Sequence, residues 1–216
     1  MKNIAVLVSG GGTNLQALID ATVAGKIRNG RISIVLSSRR DAYALERARA
    51  ACIDCCVLEP KDYSGRDNYS KALAQRLLEH KIDLVVLAGF MHILSSEFIK
   101  HFENRIINVH PSLIPSFCGD GFYGLRVHEA VLEKGVKLTG ATVHFVNEIT
   151  DGGPIILQKA VPVFADDTAK TLQERVMREA EWQILPEAVS LFCEGRLLVE
   201  GGRVIISDAQ PGSFGH

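Results

Sequence analysis

Short apolar runs alternate with amphipathic stretches along the first half of the chain. Each of four apolar runs of strand length is followed by a stretch with helical spacing: residues 4–8 and 14–24, 32–36 and 42–51, 54–58 and 66–79, 84–88 and 95–102. Parallel strands need a crossover connection, which is usually a helix, so this alternation predicts βαβ units. The runs AVLV and LVVLA are continuous, as expected of central strands that are covered on both faces. The predicted fold class is α/β, with an open, mostly parallel twisted sheet and helices on both faces.

The second half of the chain departs from this alternation. A fifth strand at residues 106–109 leads into residues 110–125, a predicted loop with two prolines and three glycines. Loops of this length inside a compact domain are often functional. Beyond it the pattern predicts a helix, a strand, a turn, a second strand and a long helix, at residues 127–134, 141–146, 150–154, 155–163 and 168–193. Pro186 is expected to break or kink the long helix, and LLVEGGRVII predicts a C-terminal β-hairpin around Gly201 and Gly202.

Composition and charge narrow the class of protein. Apolar residues make up 47% and charged residues 23% of the 216 residues, which is typical of a globular protein. The 24 lysines and arginines balance the 25 aspartates and glutamates, so we expect a small-molecule partner and neither a nucleic-acid nor a membrane partner. The first apolar run is too short for a signal sequence, and no run reaches the roughly 20 residues that cross a bilayer. We therefore expect a cytoplasmic protein.

Five cysteines, an odd number, argue against a disulfide framework. Cys52, Cys55 and Cys56 form the cluster CIDCC, which contains a C-x-x-C spacing without a second Cys or His pair at zinc-finger distance. We interpret these residues as small thiols packed around a strand. The alternative is a metal or redox site, which would make the protein an oxidoreductase.

A glycine-rich turn with the sequence SGGGTN joins the first strand to the first helix. Its successive backbone N–H groups, the helix N-terminus and the Thr13 hydroxyl can together bind a phosphate. No Gly-Lys-Ser/Thr follows, so the turn is not a P-loop, and Leu15 stands where the dinucleotide fingerprint needs its last glycine. We predict a monophosphate site, with a tight turn that binds no ligand as the alternative.

The fifth strand ends in the sequence INVHPS, which places Asn108 and His110 two residues apart and on one face. An amide beside an imidazole suits acyl transfer to an amine, because the amide stabilises the developing oxyanion and the imidazole exchanges protons. Asp151 lies in the turn TDGGP, and a carboxylate near His110 would raise the pKa of the imidazole and favour its cationic form. We interpret the other histidines considered as packed or surface residues: His80, His101, His128 and His144.

Four motifs together carry a resemblance to a known family: VLVSGGGTNLQALI, LVVLAGFMHILS, INVHPSLIPSF and TDGGPIILQ. From residue 2 to about residue 195 the chain resembles the glycinamide ribonucleotide formyltransferase family of the folate-dependent formyltransferase superfamily, which has a Rossmann-like formyltransferase fold. The resemblance implies transfer of the formyl group of 10-formyltetrahydrofolate to the glycinamide amine of N1-(5-phospho-D-ribosyl)glycinamide. The products would be the N2-formyl compound and tetrahydrofolate, in de novo purine (IMP) biosynthesis. We expect neither a metal nor a nicotinamide, and a monomer or weak homodimer.

The resemblance also implies roles residue by residue. Asn108 and His110 match the oxyanion and proton-donor pair, and Asp151 matches the carboxylate that raises the histidine pKa. The substrate's phosphate and ribose are matched by Gly12, Thr13, Asn14, Arg178, Glu179, Ala180 and Glu181. The formyl folate is matched by Arg66, Met91, His92, Ile93, Leu94, Asn108, Asn147, Glu148, Ile149, Thr150 and Asp151. His92 stands where other members often carry arginine, so a fixed cation is absent at this position. The stretch CGDGFYGLRVH differs from the corresponding loop of other members, and no role is transferred to it.

We predict a single formyltransferase domain over residues 1–216. Residues 1–105 would form its phosphate-binding half, 106–195 its catalytic and folate-binding half, and 196–216 a hairpin and tail. The nearest alternatives are formyltetrahydrofolate hydrolase and methionyl-tRNA formyltransferase, which use a similar Asn–His–Asp set. We expect neither the hydrolase's usual N-terminal regulatory domain nor the tRNA enzyme's C-terminal barrel here. The alternative from another class is a folate- or nucleotide-binding module without catalysis.

Overall fold

The computed structural model describes residues 1–208; the predicted tail at residues 209–216 lies outside the described part. The strands in this part are β1 (Lys2–Val8), β2 (Gly30–Ser37), β3 (Cys55–Val57), β4 (Leu84–Leu87), β5 (Ile106–His110), β6 (Leu138–Phe145), β7 (Ile155–Pro162), β8 (Leu197–Glu200) and β9 (Arg203–Ile206). The α-helices are α1 (Thr13–Val23), α2 (Ala44–Ala50), α3 (Arg66–Glu79), α4 (Ser96–His101), α5 (Leu125–Lys134), α6 (Ala169–Val176) and α7 (Trp182–Cys193). None of the helices in residues 1–208 is long and apolar enough to cross a membrane.

Seven strands form one sheet in the order β3-β2-β1-β4-β5-β6-β7. The pairings among β1 to β5 are parallel, whereas β6 pairs antiparallel with both β5 and β7. The predicted α/β class with an open, mostly parallel sheet is confirmed, and β8 and β9 form the predicted hairpin. The strand order reverses at β1, which lies between β2 and β4. In such sheets ligands bind in the crevice outside the carboxyl ends of the strands at this reversal.

Apolar side chains of the central strands pack on both faces of the sheet. In β1, Ile4, Val6 and Val8 contact a cluster that includes α1 and α7, while Ala5 and Leu7 contact a second cluster that includes α3 and α4. All five side chains are fully buried. Because successive side chains of a strand point to opposite faces, helices on both faces require a continuous apolar run.

The cysteines of the CIDCC cluster do not lie on one face of the sheet. Cys55 and Cys56 are neighbours on β3, and Cys55 packs against the cluster of α1 and α7 while Cys56 packs against that of α3 and α4. Cys52 precedes the strand and is exposed. Thiols on opposite faces cannot bind one ion, and within residues 1–208 no group of three or more His, Cys, Asp or Glu side chains is arranged to hold a metal. This placement supports packed thiols over a shared redox or metal site.

The long C-terminal helix departs from the prediction at one point. It does not break at Pro186, which lies inside α7; the irregular segment is the π-helical turn Met177–Glu181 between α6 and α7. Pro186 lacks only the N–H that would donate to the carbonyl of Trp182, four residues earlier. Trp182, the first residue of α7, is 38% exposed. The wider π turn ends at Glu181, five residues before the proline, and α7 continues to Cys193.

A buried hydrogen bond joins the first helix to this π turn. The Asn14 side chain on α1 donates to Glu181 Oε2 at 2.7 Å, and both side chains are buried. Burial raises the pKa of the Glu181 carboxyl to about 7, although the hydrogen bond from Asn14 opposes the shift. The folded protein therefore retains a proton on Glu181 that the unfolded chain loses at lower pH.

Replacing Glu181 with glutamine should stabilise the protein at alkaline pH. Between about pH 4.5, the ordinary value, and pH 7 the unfolded state binds fewer protons than the folded state, so the stability of the wild type falls as pH rises. Glu181→Gln removes this loss and should gain up to about 3 kcal/mol at pH 8 and little at pH 5. Urea unfolding at the two pH values measures the difference.

The exposed Glu187 on α7 provides the control. Glu187→Gln should change the unfolding free energy equally at the two pH values. An equal change for Glu181→Gln at pH 5 and pH 8 would contradict the buried, protonated carboxyl.

Candidate active site

The antiparallel pairing of β5 with β6 places Asn108 opposite His144 and His110 opposite Thr142. Asn108 Nδ2 and His144 Nε2 are 3.2 Å apart, and His144 Nδ1 lies 2.8 Å from the carbonyl of Phe145. Since a carbonyl only accepts, Nδ1 of His144 carries a proton, and its Nε2 lies within hydrogen-bond distance of the Asn108 amide nitrogen. Asn108 keeps a second N–H for a ligand.

Asp151 lies between β6 and β7 and connects the two histidines. Its Oδ2 is 3.4 Å from His110 Nδ1 and its Oδ1 is 3.7 Å from His144 Nε2. The backbone N–H of Gly119 also donates to Oδ2, at 2.9 Å. The structure thus brings Asn108, His110 and Asp151 into one cluster and adds His144 to it.

Burial and neighbouring groups have opposite effects on the pKa values in this cluster. For His110, burial lowers the pKa and outweighs Asp151, which raises it, so the net pKa lies below the ordinary value. For Asp151, burial acts to raise the pKa, but His144, the Gly119 N–H and His110 together bring it below its ordinary value. The carboxylate therefore raises the pKa of His110 as expected, while desolvation disfavours the charged imidazole and sets the net direction of the shift.

The loop between β5 and α5 covers the cluster. The His110 Nε2–H donates to the carbonyl of Phe117 at 2.9 Å, while Gly119 binds Asp151. The base of the loop is anchored on β6, since Thr142 Oγ1 donates to the Ser112 carbonyl and accepts from the Ile114 N–H. Both nitrogens of His110 consequently face protein oxygen atoms in this conformation.

The glycine turn, residues 10–13, lies at the carboxyl end of β1. Gly12 has a φ of 71°, and Thr13 is the first residue of α1. The Asn14 side chain points inward to Glu181, and its Oδ1 is buried without a hydrogen-bond partner within residues 1–208. This orphan acceptor can receive a ligand hydroxyl. Thr13 also lines a groove of about 1180 Å³ that runs between α1 and α7.

The predicted ribose-binding residues divide into buried and exposed members of the π turn. Ala180 and Glu181 are buried. Arg178 and Glu179 pair with each other, with Arg178 Nη2 2.9 Å from Glu179 Oε1 and both side chains largely exposed. Of these four residues, Glu181 alone forms a hydrogen bond within residues 1–208 to Asn14, the residue that follows the glycine turn.

The first predicted folate segment follows β4. The Met91 N–H donates to Ser9 Oγ at 3.0 Å, which holds this segment beside the glycine turn. Met91 and Ile93 are 53% and 64% exposed, whereas Leu94 is buried. His92 packs edge-on against the rings of Tyr69 and Phe90, and burial lowers the pKa of its imidazole. His92 therefore supplies no fixed cation.

The second predicted folate segment is the loop from Asn147 to Asp151. Asn147 braces it by donating to the Gly152 carbonyl at 3.2 Å and accepting from the Ile149 N–H at 3.0 Å. Ile149 is 69% exposed, and Glu148 lies 3.5 Å from Lys100. Thr150 is exposed, as is Arg66 at the start of α3.

His144 is the site residue that sequence reasoning missed. It lies in the apolar run ATVHFV, where a single histidine is usually a packed residue. The available signal was its position on a strand that could pair with β5. That signal needed the pairing register, because only the register places His144 opposite Asn108.

The family model for formyl transferases matches residues 2–189. Phosphoribosylglycinamide formyltransferase of Haemophilus influenzae is 44% identical over 197 residues, covering 91% of this chain and 90% of that protein. The Escherichia coli protein of the same name is 44% identical over 195 residues, covering 90% and 89%. A solved glycinamide ribonucleotide transformylase 1 from Symbiobacterium toebii superposes with a TM-score of 0.91 at 49% identity, covering 96% of this chain and 95% of that one. The chain belongs to the formyl transferase family.

Proposed function

We propose that this chain transfers the formyl group of 10-formyltetrahydrofolate to the glycinamide amine of N1-(5-phospho-D-ribosyl)glycinamide, giving the N2-formyl product and tetrahydrofolate in purine (IMP) biosynthesis. The observation that carries the proposal is the cluster of Asn108, His110 and Asp151 at the end of β5. Relatives named for this activity match over nearly the full length of both chains, which supports the same substrate pair. The activity makes the chain a phosphoribosylglycinamide formyltransferase.

Asn108 is proposed to stabilise negative charge on the formyl oxygen as the amine attacks. Its second amide N–H is available because His144 takes only one of the two. A preorganised donor of this kind acts strongly in a site that excludes water, where hydrogen bonds to developing charge are worth several kcal/mol. His144 would orient the Asn108 amide through their shared hydrogen bond.

His110 is proposed to carry the proton between the two nitrogens. The bound formyl folate supplies an activated formyl carbon. A C–N bond forms to the glycinamide amine, the bond from the formyl carbon to the folate nitrogen breaks, and one proton passes from the amine to that nitrogen. A neutral imidazole with a lowered pKa can accept the proton and then return it. For this, His110 Nε2 must leave the Phe117 carbonyl and face the substrate without a proton, while Nδ1 carries the N–H that points to Asp151.

Asp151 is proposed to hold His110 in orientation and to stabilise its cationic form during the transfer. The carboxylate lies 3.4 Å from His110 Nδ1 and remains ionised because its pKa is lowered. Through Gly119 it also ties the covering loop to the catalytic cluster. The Asp151 carboxylate thereby holds both His110 and the loop in position and stabilises the cationic form of His110.

The substrate's phosphoribosyl part is proposed to bind along the glycine turn and the π turn. Backbone N–H groups of Gly12 and Thr13 at the N-terminus of α1 suit a phosphate. The orphan Asn14 Oδ1 and the Glu181 carboxyl suit ribose hydroxyls. On the same π turn, the substrate would also contact Arg178, Glu179 and Ala180.

The apolar residues matched to the folate can pack against the face of its pterin ring. Met91, Ile93 and Ile149 are exposed apolar side chains on the two predicted segments, and the well-packed Leu94 and the braced Asn147 hold those segments in place. The other members proposed for this site are Arg66, His92, Glu148 and Thr150. No step requires a metal or a nicotinamide.

The remaining assignments follow from the same proposal. We infer a single formyltransferase domain, a cytoplasmic location with the rest of purine synthesis, and a monomer or weak homodimer that binds only small molecules. The hydrolase alternative would leave the glycine turn without a ligand, since water carries no phosphate. A purely binding module would not need a proton-carrying histidine beside an ionised aspartate.

Removing His110 or Asp151 should abolish turnover while leaving the phosphorylated amine bound. His110→Ala removes the proton carrier and Asp151→Asn removes the charge beside it, so each should lower kcat by at least about a hundredfold. Steady-state kinetics and calorimetric binding of glycinamide ribonucleotide measure the two effects. His101→Ala, at an exposed histidine on α4, is the control and should keep normal kcat. Near-normal kcat in His110→Ala would refute the assignment.

The pH profile should report the lowered pKa of His110. kcat should rise from acid toward neutrality with a midpoint below 6.5, since burial lowers the pKa from that ordinary value. Asp151→Asn removes the influence that raises this pKa, so its residual activity should titrate at still lower pH. Initial rates between pH 5 and pH 8 at saturating substrates measure both midpoints. A flat profile would show that His110 does not titrate in the rate-limiting step.

Folate release should depend on the amine acceptor. A transferase forms tetrahydrofolate only when glycinamide ribonucleotide is present, whereas a hydrolase releases formate without it. Parallel absorbance assays of 10-formyltetrahydrofolate with and without acceptor distinguish the two, and boiled enzyme controls for spontaneous decay. Equal rates with and without acceptor would overturn the proposed reaction.

A further inference from the structure

Helix α2 holds the glycine turn through two consecutive carbonyl groups. The backbone N–H of Ala44 donates to the Gly10 carbonyl at 3.1 Å. The Arg47 Nε–H donates to the Gly11 carbonyl at 2.8 Å. Both carbonyls therefore point toward α2.

This arrangement fixes the direction of the neighbouring N–H groups. In a trans peptide the C=O and the following N–H point in opposite directions. The Gly11 and Gly12 N–H groups must then point away from α2, and neither donates to a protein acceptor in the described part of the chain. A Cβ on Gly12 would lie 2.6 Å from Ala44 Cβ, so the close approach of α2 requires glycine there.

Arg47 is itself held in one orientation. Its Nη1 donates to Gln16 Oε1 on α1 at 3.0 Å, and its guanidinium lies 5.0 Å from the centre of the Tyr43 ring. The planar fork thus spans α2, the glycine turn and α1. It lines the same groove as Thr13. No carboxylate within residues 1–208 forms an ion pair with Arg47, so its positive charge is not neutralised by the protein.

We propose that Arg47 is a positioning residue for the substrate's phosphate: it holds the Gly11 carbonyl so that the glycine-turn N–H groups face the anion. Its unpaired charge adds attraction for a phosphate at the same place. The identity of the phosphorylated substrate rests on the proposed function, but the anion-binding role of Arg47 does not. Removal of Arg47 frees the Gly11 peptide to rotate, which costs affinity for phosphate and leaves the folate segments unchanged.

The test compares Arg47→Met with Arg49→Met on the same helix. Arg49 is exposed and pairs with Glu46, so it is a matched control for loss of one arginine from α2. Arg47→Met should raise the KM for glycinamide ribonucleotide at least tenfold, with kcat and the folate KM within twofold of the wild type. Arg49→Met should leave all three constants unchanged. Equal KM values in the two variants, or a folate KM that rises in step, would overturn the proposal.

A second variant separates orientation from charge. Arg47→Lys keeps the charge but cannot reproduce the fork that joins the Gly11 carbonyl to Gln16. Its KM for the phosphorylated amine should remain at least fivefold above the wild type, and full recovery would refute the positioning role.

Inorganic phosphate provides a probe that is independent of the reaction. Calorimetry with the wild type and Arg47→Met should show phosphate binding at least tenfold weaker in the variant. If the wild type proved inactive with glycinamide ribonucleotide, the proposed function would fail, while this binding difference would still decide the role of Arg47. Equal phosphate affinities would overturn it.

Discussion

The register in which β5 pairs antiparallel with β6 is the constraint on which the catalytic end of the molecule depends. It places Asn108 opposite His144, and the same face of β5 carries His110. A shift of β6 by one residue relative to β5 would place His144 on the opposite face of the sheet from Asn108, because side chains alternate along a strand. The loop to β7 then returns Asp151 to both histidines. Two residues of β5, one of β6 and one of the following loop thus form a single polar cluster.

The same cluster shows a balance between burial and charge. His110 is almost completely buried, which favours its neutral form, while the adjacent Asp151 favours the cation. Burial has the larger effect, so the pKa of the imidazole lies below its ordinary value. The covering loop contributes to both, since it excludes water and presents the Gly119 N–H to the carboxylate. The loop thus contacts both members of the His110–Asp151 pair.

Much of this architecture could be predicted from the sequence, for reasons that differ between elements. Continuous apolar runs such as that of β1 identify buried parallel strands, and the spacing of Asn108 and His110 places them on one face without any tertiary information. The distance from Asp151 to His110, the part played by His144 and the net direction of the His110 pKa depend on strand register and burial, which a local pattern does not contain. The expectation that Pro186 breaks the helix used only the local sequence. The π turn that precedes α7 is a feature of the folded helix and has no such local signal.

That π turn also sets the rotational phase of the C-terminal helix. In an α-helix each residue advances the side-chain direction by about 100° around the axis. The extra residue accommodated between α6 and α7 therefore lets the apolar faces of both helices meet the core although they are out of step in sequence. Glu181 stands at the junction, where its carboxyl side chain is buried. Insertion or deletion of one residue in this segment would rotate α7 by about 100° relative to α6 and move either the Glu181 carboxyl or the packing face away from the core.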